Sequence, residues 1–331
     1  HIQDSVATAR SRARWRNPGG GSVSLDDLET ACRLQSAPRL AGLARKIEPR
    51  CGWADILLPP DQKSQLRDIC RQERYRSVVY GEWGFERKLS SGRGLSILFS
   101  GPPGTGKTMA AEVIAQELKL DLFKIDLAQV VSKYIGETEK NLSRIFQEAE
   151  AGHVLLFFDE AEALFGKRSE VKDAHDRYAN IELGYLLQRM EEHEGIVILA
   201  TNLRKNMDEA FIRRMQIVVE FPFPEEDLRR QIWEKIFPAE TPLAGDLDLS
   251  LLAREVRLAG GNIRNIALRA AFYAAEDGGR VLLSHLREAA QREYQKLGRT
   301  WDEKKFPAGE EGALADGEGH PEPSLRSETK S

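Results

Sequence analysis

The chain has 331 residues, 41% of them apolar and 30% charged, with a formal net charge of −4. That length and apolar content suffice for two domains with real cores, and the slight acidity gives no general footing for nucleic acid or membrane surfaces. Cys32, Cys51 and Cys70 are odd in number and lack metal-ligand spacing, which argues against a disulfide framework and for a reducing, cytoplasmic setting.

The first segment is basic, through Arg10, Arg12, Arg14 and Arg16, and runs into Asn17-Pro18-Gly19-Gly20-Gly21, a linker composition. Residues 1–51 are therefore expected as a partly disordered arm, with a short helix that places Leu25, Leu28 and Cys32 on one face. No signal peptide is visible, and a start at His1 in place of Met is compatible with a preceding segment. Asp61 to Val79 reads as a helix through Leu66, Ile69 and Cys70, and the Ser90-Ser91-Gly92-Arg93-Gly94 break leads into a strand, Leu95 to Phe99.

Next comes Gly101-Pro102-Pro103-Gly104-Thr105-Gly106-Lys107-Thr108, which fills the phosphate-loop pattern G-x-x-x-x-G-K-[ST] between that strand and a helix, Thr108 to Leu118. Glycines let successive N–H groups turn inward around phosphate oxygens. Lys107 supplies a point charge for the outer phosphates, Thr108 a hydroxyl for Mg²⁺, and the following helix its positive end. A nucleoside triphosphate is the ligand this context predicts.

Beyond it the pattern alternates. Leu122 to Ile125 reads as a strand, and Val154 to Phe158, Ile196 to Ala200 and, but for Glu220, Ile217 to Phe221 are apolar strands. Between them lie helices marked by Leu142, Ile145, Phe146 and Ala149, and by Leu183, Leu186, Leu187 and Met190. Strands apolar throughout, alternating with amphipathic helices, predict a parallel sheet covered on both faces over residues 52–225. Four helices follow, so residues 226–305 are expected as a smaller all-helical domain. The last 26 residues hold six acidic and two basic side chains and are expected as a disordered tail. The longest wholly apolar run, Val154 to Phe158, is far too short to cross a bilayer, so no membrane partner is expected.

Two carboxylates, Asp159 and Glu160, end the buried strand. A charge there is costly without a partner or metal. Asp159 suits Mg²⁺, directly or through water, and Glu160 suits polarising a water for in-line attack on a γ-phosphate. His193-Glu194 begins a zinc-protease pattern, but Val197 stands where the second His is required.

Gly-Pro-Pro-Gly-Thr-Gly-Lys-Thr, then Asp159-Glu160-Ala161-Glu162 after an apolar strand, then Leu199-Ala200-Thr201-Asn202, resembles the AAA+ ATPase family across roughly residues 53–297. The resemblance implies a doubly wound sheet, a helical lid, ATP or ADP bound with Mg²⁺, and a homo-oligomeric ring, usually a hexamer, with sites between subunits. The nucleotide is then contacted by Pro103 to Met109, and adenine by the backbone of Asp55-Ile56. Asn202 matches sensor 1, although such a residue is also an ordinary turn former. Arg213-Arg214 stands where arginine fingers occur, but the pair is contiguous without Pro-Gly between and also fits a solvated corner; either residue is the candidate. Gly260-Gly261-Asn262-Ile263-Arg264 resembles sensor 2, with Arg264 as the phosphate contact.

Lys133-Tyr134-Ile135-Gly136 falls where the family places a pore loop that grips a polypeptide; the other reading is an aromatic folded back onto the core. Within the family, Trp83-Gly84-Phe85 and residues 181–223 look most like bacterial ATPases of contractile injection particles. The function expected is ATP hydrolysis coupled to remodelling or threading a protein, with a particle component as one partner class. The alternative is a nucleotide-gated assembly module. A DNA-acting member has only the basic arm as footing.

Overall fold

A computed structural model of the chain describes residues 2–17, 22–35, 43–88, 94–131, 136–150, 154–163, 174–202, 209–245 and 247–302. The acidic tail, the linker at 18–21, and Lys133, Tyr134 and Ile135 lie outside the described residues. These fall in two compact units, one within His1–Ala239 and Leu249–Asn265, the other within Glu240–Asp248 and Ile266–Ser331.

In the first unit the chain opens with helices α1 (Ile2–Arg16) and α2 (Leu25–Gln35). Within the arm expected as partly disordered, residues 2–16 are helical for identifiable reasons. Asp4 lies in the first turn and Arg14 and Arg16 in the last, as the helix dipole favours. Ser5, Ala9 and Ala13, spaced by four, are buried, and Arg16 pairs with the carboxylate of Asp27 on α2 at 2.7 Å.

Strand β1 (Arg45–Ile47) and helix α3 (Pro60–Arg74) precede β2 (Leu95–Ser100). Then come α4 (Lys107–Leu118), β3 (Asp121–Asp126), α5 (Leu127–Val130), α6 (Glu137–Glu150), β4 (Val154–Asp159), α7 (Ala174–Glu192), β5 (Ile196–Thr201), α8 (Glu209–Ile212) and β6 (Ile217–Glu220). The sheet has six strands in the order β1-β3-β4-β5-β2-β6. All neighbours are parallel except β1, which runs antiparallel to β3.

Alternation of side chains along each strand splits the core between the two faces. Leu98, Leu156, Phe158, Val197 and Leu199 pack with Leu142, Ile145 and Phe146 of α6 and Leu186 and Met190 of α7. Ile97, Phe99, Leu155, Phe157, Ile196 and Ile198 pack with Leu66 and Ile69 of α3 and Val113 and Ile114 of α4. This is the three-layered, parallel-sheet architecture that the continuously apolar strands predict. Phe157 is fully buried, and its truncation to Ala would cost about 3–5 kcal/mol.

Helices α9 (Glu226–Ile236) and α10 (Leu249–Glu255) and the start of α11 (Gly260–Glu276) belong to the same unit. Buried Arg229 ties them to the segment leaving β6, donating from Nε to Ala253 O and from Nη1 to Pro224 O, both at 2.7 Å. The second unit holds the rest of α11 and α12 (Leu283–Lys296) over buried Ala270, Ala274, Leu286 and Ala290. A short parallel bridge, Leu243 to Val281, closes it.

Candidate active site

Strand order decides which residues meet. Since β5 lies between β4 and β2, the carboxyl ends of these three strands are contiguous. Ligands of open α/β sheets bind at that edge. From it project the phosphate loop after β2, Asp159-Glu160 at the end of β4 and Asn202 after β5.

Gly101, Gly104 and Gly106 of the loop all take positive φ, and the first and last show why glycine is needed. Gly101 has φ +145°, and a Cβ there would come within 2.1 Å of Phe221 O, so a side chain is excluded where the loop crosses β6. Gly106, with φ +106°, is the N-cap of α4 and turns the chain into that helix. Thr105 Oγ1 donates to Pro102 O at 2.8 Å. Pro103 and Gly104 are exposed, Thr108 is half-buried, and Met109 packs against the core on the α4 side.

Lys107 is buried and donates to Gly101 O (2.7 Å), Pro102 O (3.0 Å) and Asn202 Oδ1 (2.8 Å). Burial lowers its pKa, and the charges of Asp159 and Glu162 oppose that shift, which places both carboxylates in its field. Asn202 is held from the other side. Its Nδ2 donates to Glu162 Oε1 at 2.7 Å, and its backbone N–H to Oε2 at 3.2 Å. Thr201 Oγ1 also donates to Oε2, at 3.0 Å. Burial raises the Glu162 pKa, but its own backbone N–H, the Asn202 backbone and amide, and the Thr201 hydroxyl outweigh it, so the carboxyl sits below the ordinary glutamate range. A hydrogen-bonded chain thus runs Glu162–Asn202–Lys107. It orients the amide so that Oδ1 faces the cation.

Asp159 has both oxygens engaged: Oδ1 accepts from Glu160 N at 3.0 Å, and Oδ2 pairs with Lys124 Nζ at 2.6 Å. Glu160 follows with φ 54°, a left-handed conformation rare outside glycine, and is exposed. The oxygen-only set of Thr108 and Asp159 suits a hard divalent cation. Among the described residues no three of His, Cys, Asp and Glu gather as a cage. Mg²⁺ needs none, since it completes its shell with water and phosphate oxygens.

At the start of α11, Gly261 N donates to Gly104 O at 3.0 Å, and a Cβ on Gly261 would lie 3.2 Å from Gly104 Cα. The segment carrying Arg264 therefore reaches the phosphate loop, with Arg264 exposed one turn on. Arg213 and Arg214 are exposed in the turn between α8 and β6, and Arg214 Nε lies 3.6 Å from Glu191 Oε1. Asp55 accepts from Gly52 N at 2.7 Å, and Ile56 is buried in the core beside α3 and α4. Of the pore-loop segment, only Gly136 is described, at φ +81°.

Neither Glu162 nor Lys124 is assigned a role by sequence reasoning. Glu162 had a signal as the third carboxylate in Asp159-Glu160-Ala161-Glu162. Lys124 had one as a cation within the run Leu122 to Ile125 of a parallel strand, where a charge needs a partner. His193 is a core histidine. It is buried, its ring stands edge-on to Phe146 at 5.5 Å, and neither ring nitrogen has a hydrogen-bond partner among the described residues. Burial first, then Arg189 and Arg76, push its pKa down to about 4. The cavity beside it, about 470 Å³, lies at the amino ends of β4 and β5, away from the phosphate loop.

Residues 97–223 match the family described as "ATPase family associated with various cellular activities (AAA)". The chain is 29% identical over 270 residues to proteasome-activating nucleotidase 2 of Haloferax volcanii, which covers 78% of this chain and 64% of that protein. It is 34% identical over 248 residues to the proteasome-activating nucleotidase of Methanothermobacter thermautotrophicus, covering 72% and 59%. It is 32% identical over 204 residues to an uncharacterized AAA family ATPase of Sinorhizobium fredii, covering 58% and 60%. The chain thus spans about three fifths of the length of these relatives. The span that matches the AAA ATPase family encloses the phosphate loop, Asp159-Glu160, Asn202 and Arg213-Arg214 on one α/β domain.

Proposed function

We propose that the chain is a Mg²⁺-dependent ATPase that works as a homo-oligomeric ring, hexameric as is usual in the family, and couples turnover to remodelling or threading a protein. One observation carries the reading. Lys107, Asn202, Glu162 and Asp159 converge at contiguous strand ends beside a glycine loop and a helix N-terminus.

The backbone of Gly104, Thr105 and Gly106 and the ammonium of Lys107 bind the phosphates, and adenine lies against the Asp55-Ile56 backbone. Thr108 and Asp159 would hold Mg²⁺, which neutralises charge on the triphosphate. Glu160 accepts a proton from water as the water oxygen bonds to the γ-phosphorus. The bond to the β-phosphate oxygen breaks, and ADP leaves with that electron pair. Asn202, fixed by Glu162, orients the water or the γ-phosphate. Arg213 or Arg214 of a neighbouring subunit stabilises the transferring group, and Arg264 reaches the phosphates from the helical lid after residue 226. Lys133 to Gly136 form the loop that grips the substrate. A protein substrate is supported by the names of two relatives, proteasome-activating nucleotidases. A component of a contractile injection particle is the partner suggested by Trp83-Gly84-Phe85 and residues 181–223. Among the described residues no helix is long and apolar enough to cross a membrane.

The shared site is tested by complementation. Subunits carrying Glu160→Gln retain the arginines but lack the base, and subunits carrying Arg213→Ala with Arg214→Ala retain the base. Each should be inactive alone, and a mixture should regain phosphate release. A mixture as inactive as its parts, under conditions where the subunits co-assemble, would overturn the shared site.

A further inference from the structure

We infer that Lys124 is a positioning residue, a tethered cation that competes with the divalent metal for Asp159. The inference rests on the reading that Asp159 holds Mg²⁺. Lys124 and Asp159 stand on neighbouring parallel strands. The Cα partner of Lys124 is Phe157, so Asp159 lies two residues further on the same face, within reach of a lysine side chain. Its Nζ meets Oδ2 at 2.6 Å, while Oδ1 is fixed by the Glu160 N–H at 3.0 Å. The two contacts leave the carboxylate a single orientation, with its outer oxygen facing an ammonium. A metal drawing on Oδ2 must displace Lys124 or share the oxygen with it, and each costs metal affinity. The pair is only partly screened, with one third of the Lys124 side chain and 22% of the Asp159 side chain exposed.

Lys124 therefore sets how much Mg²⁺ the site requires and keeps Asp159 aimed before metal arrives. Glu160 inherits the effect, because its N–H closes the same carboxylate.

The test measures half-saturating Mg²⁺ for binding of N-methylanthraniloyl-ADP to the full chain, with Mn²⁺ binding followed by electron paramagnetic resonance as a second readout. Lys124→Met should lower the half-saturating concentration about two- to fivefold, the worth of a partly exposed ion pair. Lys124→Arg, which keeps the pair, should stay near the parental value. Asp159→Asn should raise the requirement about tenfold or more. In the Asp159→Asn background Lys124→Met should then change nothing. If Asp159→Asn shifts the titration and Lys124→Met leaves it unchanged or weakens metal binding, the competition is refuted. If Asp159→Asn itself leaves the titration unchanged, the metal assignment beneath it fails as well.

Discussion

Glu162→Gln isolates the least expected part of the site. The carboxylate accepts from Asn202 Nδ2 on one oxygen and from Thr201 Oγ1 and Asn202 N on the other. A glutamine offers one acceptor and one donor in their place. With its NH₂ toward Asn202 Nδ2, two donors collide, and relief requires the Asn202 amide to flip and present NH₂ to the Lys107 ammonium. With the opposite rotamer, the Asn202 N–H loses its acceptor. Either way at least one hydrogen bond to a charged group is lost, worth about 1.5–3 kcal/mol, and partial exposure places the net cost at about 1–2 kcal/mol. Urea unfolding should show that loss. Steady-state phosphate release should fall about tenfold or more, since 1.4 kcal/mol off the transition state is a decade, while N-methylanthraniloyl-ATP affinity changes by less than about threefold. The stabilisation has a pH signature too. The folded carboxyl titrates below the ordinary 4.5, so its contribution is complete above that value and is lost as pH drops through the folded pKa. The variant should lack that slope. Parental stability and parental turnover in Glu162→Gln would refute the Glu162–Asn202–Lys107 chain.

Gly101→Ala should be destabilised by about 3 kcal/mol or more, read as a lower urea midpoint, because its Cβ would strike Phe221 O at a positive φ; an unchanged midpoint contradicts the loop geometry. His193, held neutral with a pKa of about 4 against an ordinary 6.5, makes the fold weaker as pH falls through that window, by about 3 kcal/mol in all. His193→Leu should flatten that dependence between pH 6.5 and 4, and parallel curves for the two proteins would disprove its burial as a neutral ring.

The residues that touch nucleotide in this account stand in short, ordered stretches, so their types and spacing were legible in the sequence: Gly101 to Thr108, Asp159-Glu160, Asn202. Apolar strands made the layered sheet legible too. What was missed depends on lateral order. Lys124 meets Asp159 only because β3 lies beside β4, and Glu162 meets Asn202 only because β4 lies beside β5. Neither neighbour relation is printed in a strand's own composition. Strand β1 is three residues at an edge with two of them exposed, too short for periodicity to mark. Among its described side chains helix α1 buries Ser5, Ala9 and Ala13, a face of small residues that apolar patterning passes over. Helices α9 and α10 group with the first unit, where Arg229 bridges α9 to Ala253 and Pro224 and Lys235 donates to Ala54 O, contacts that helix periodicity does not reveal.

The central claim is that Glu160, delivered by the left-handed turn after Asp159, drives ATP hydrolysis at this edge of the sheet. Phosphate release from Mg²⁺-ATP by the parental chain and by Glu160→Gln, with nucleotide affinity measured on the same samples, tests it most directly. Glu160→Gln should retain binding and lose turnover at least about a hundredfold, the scale of a general base; binding and turnover both at parental levels would contradict the role of Glu160.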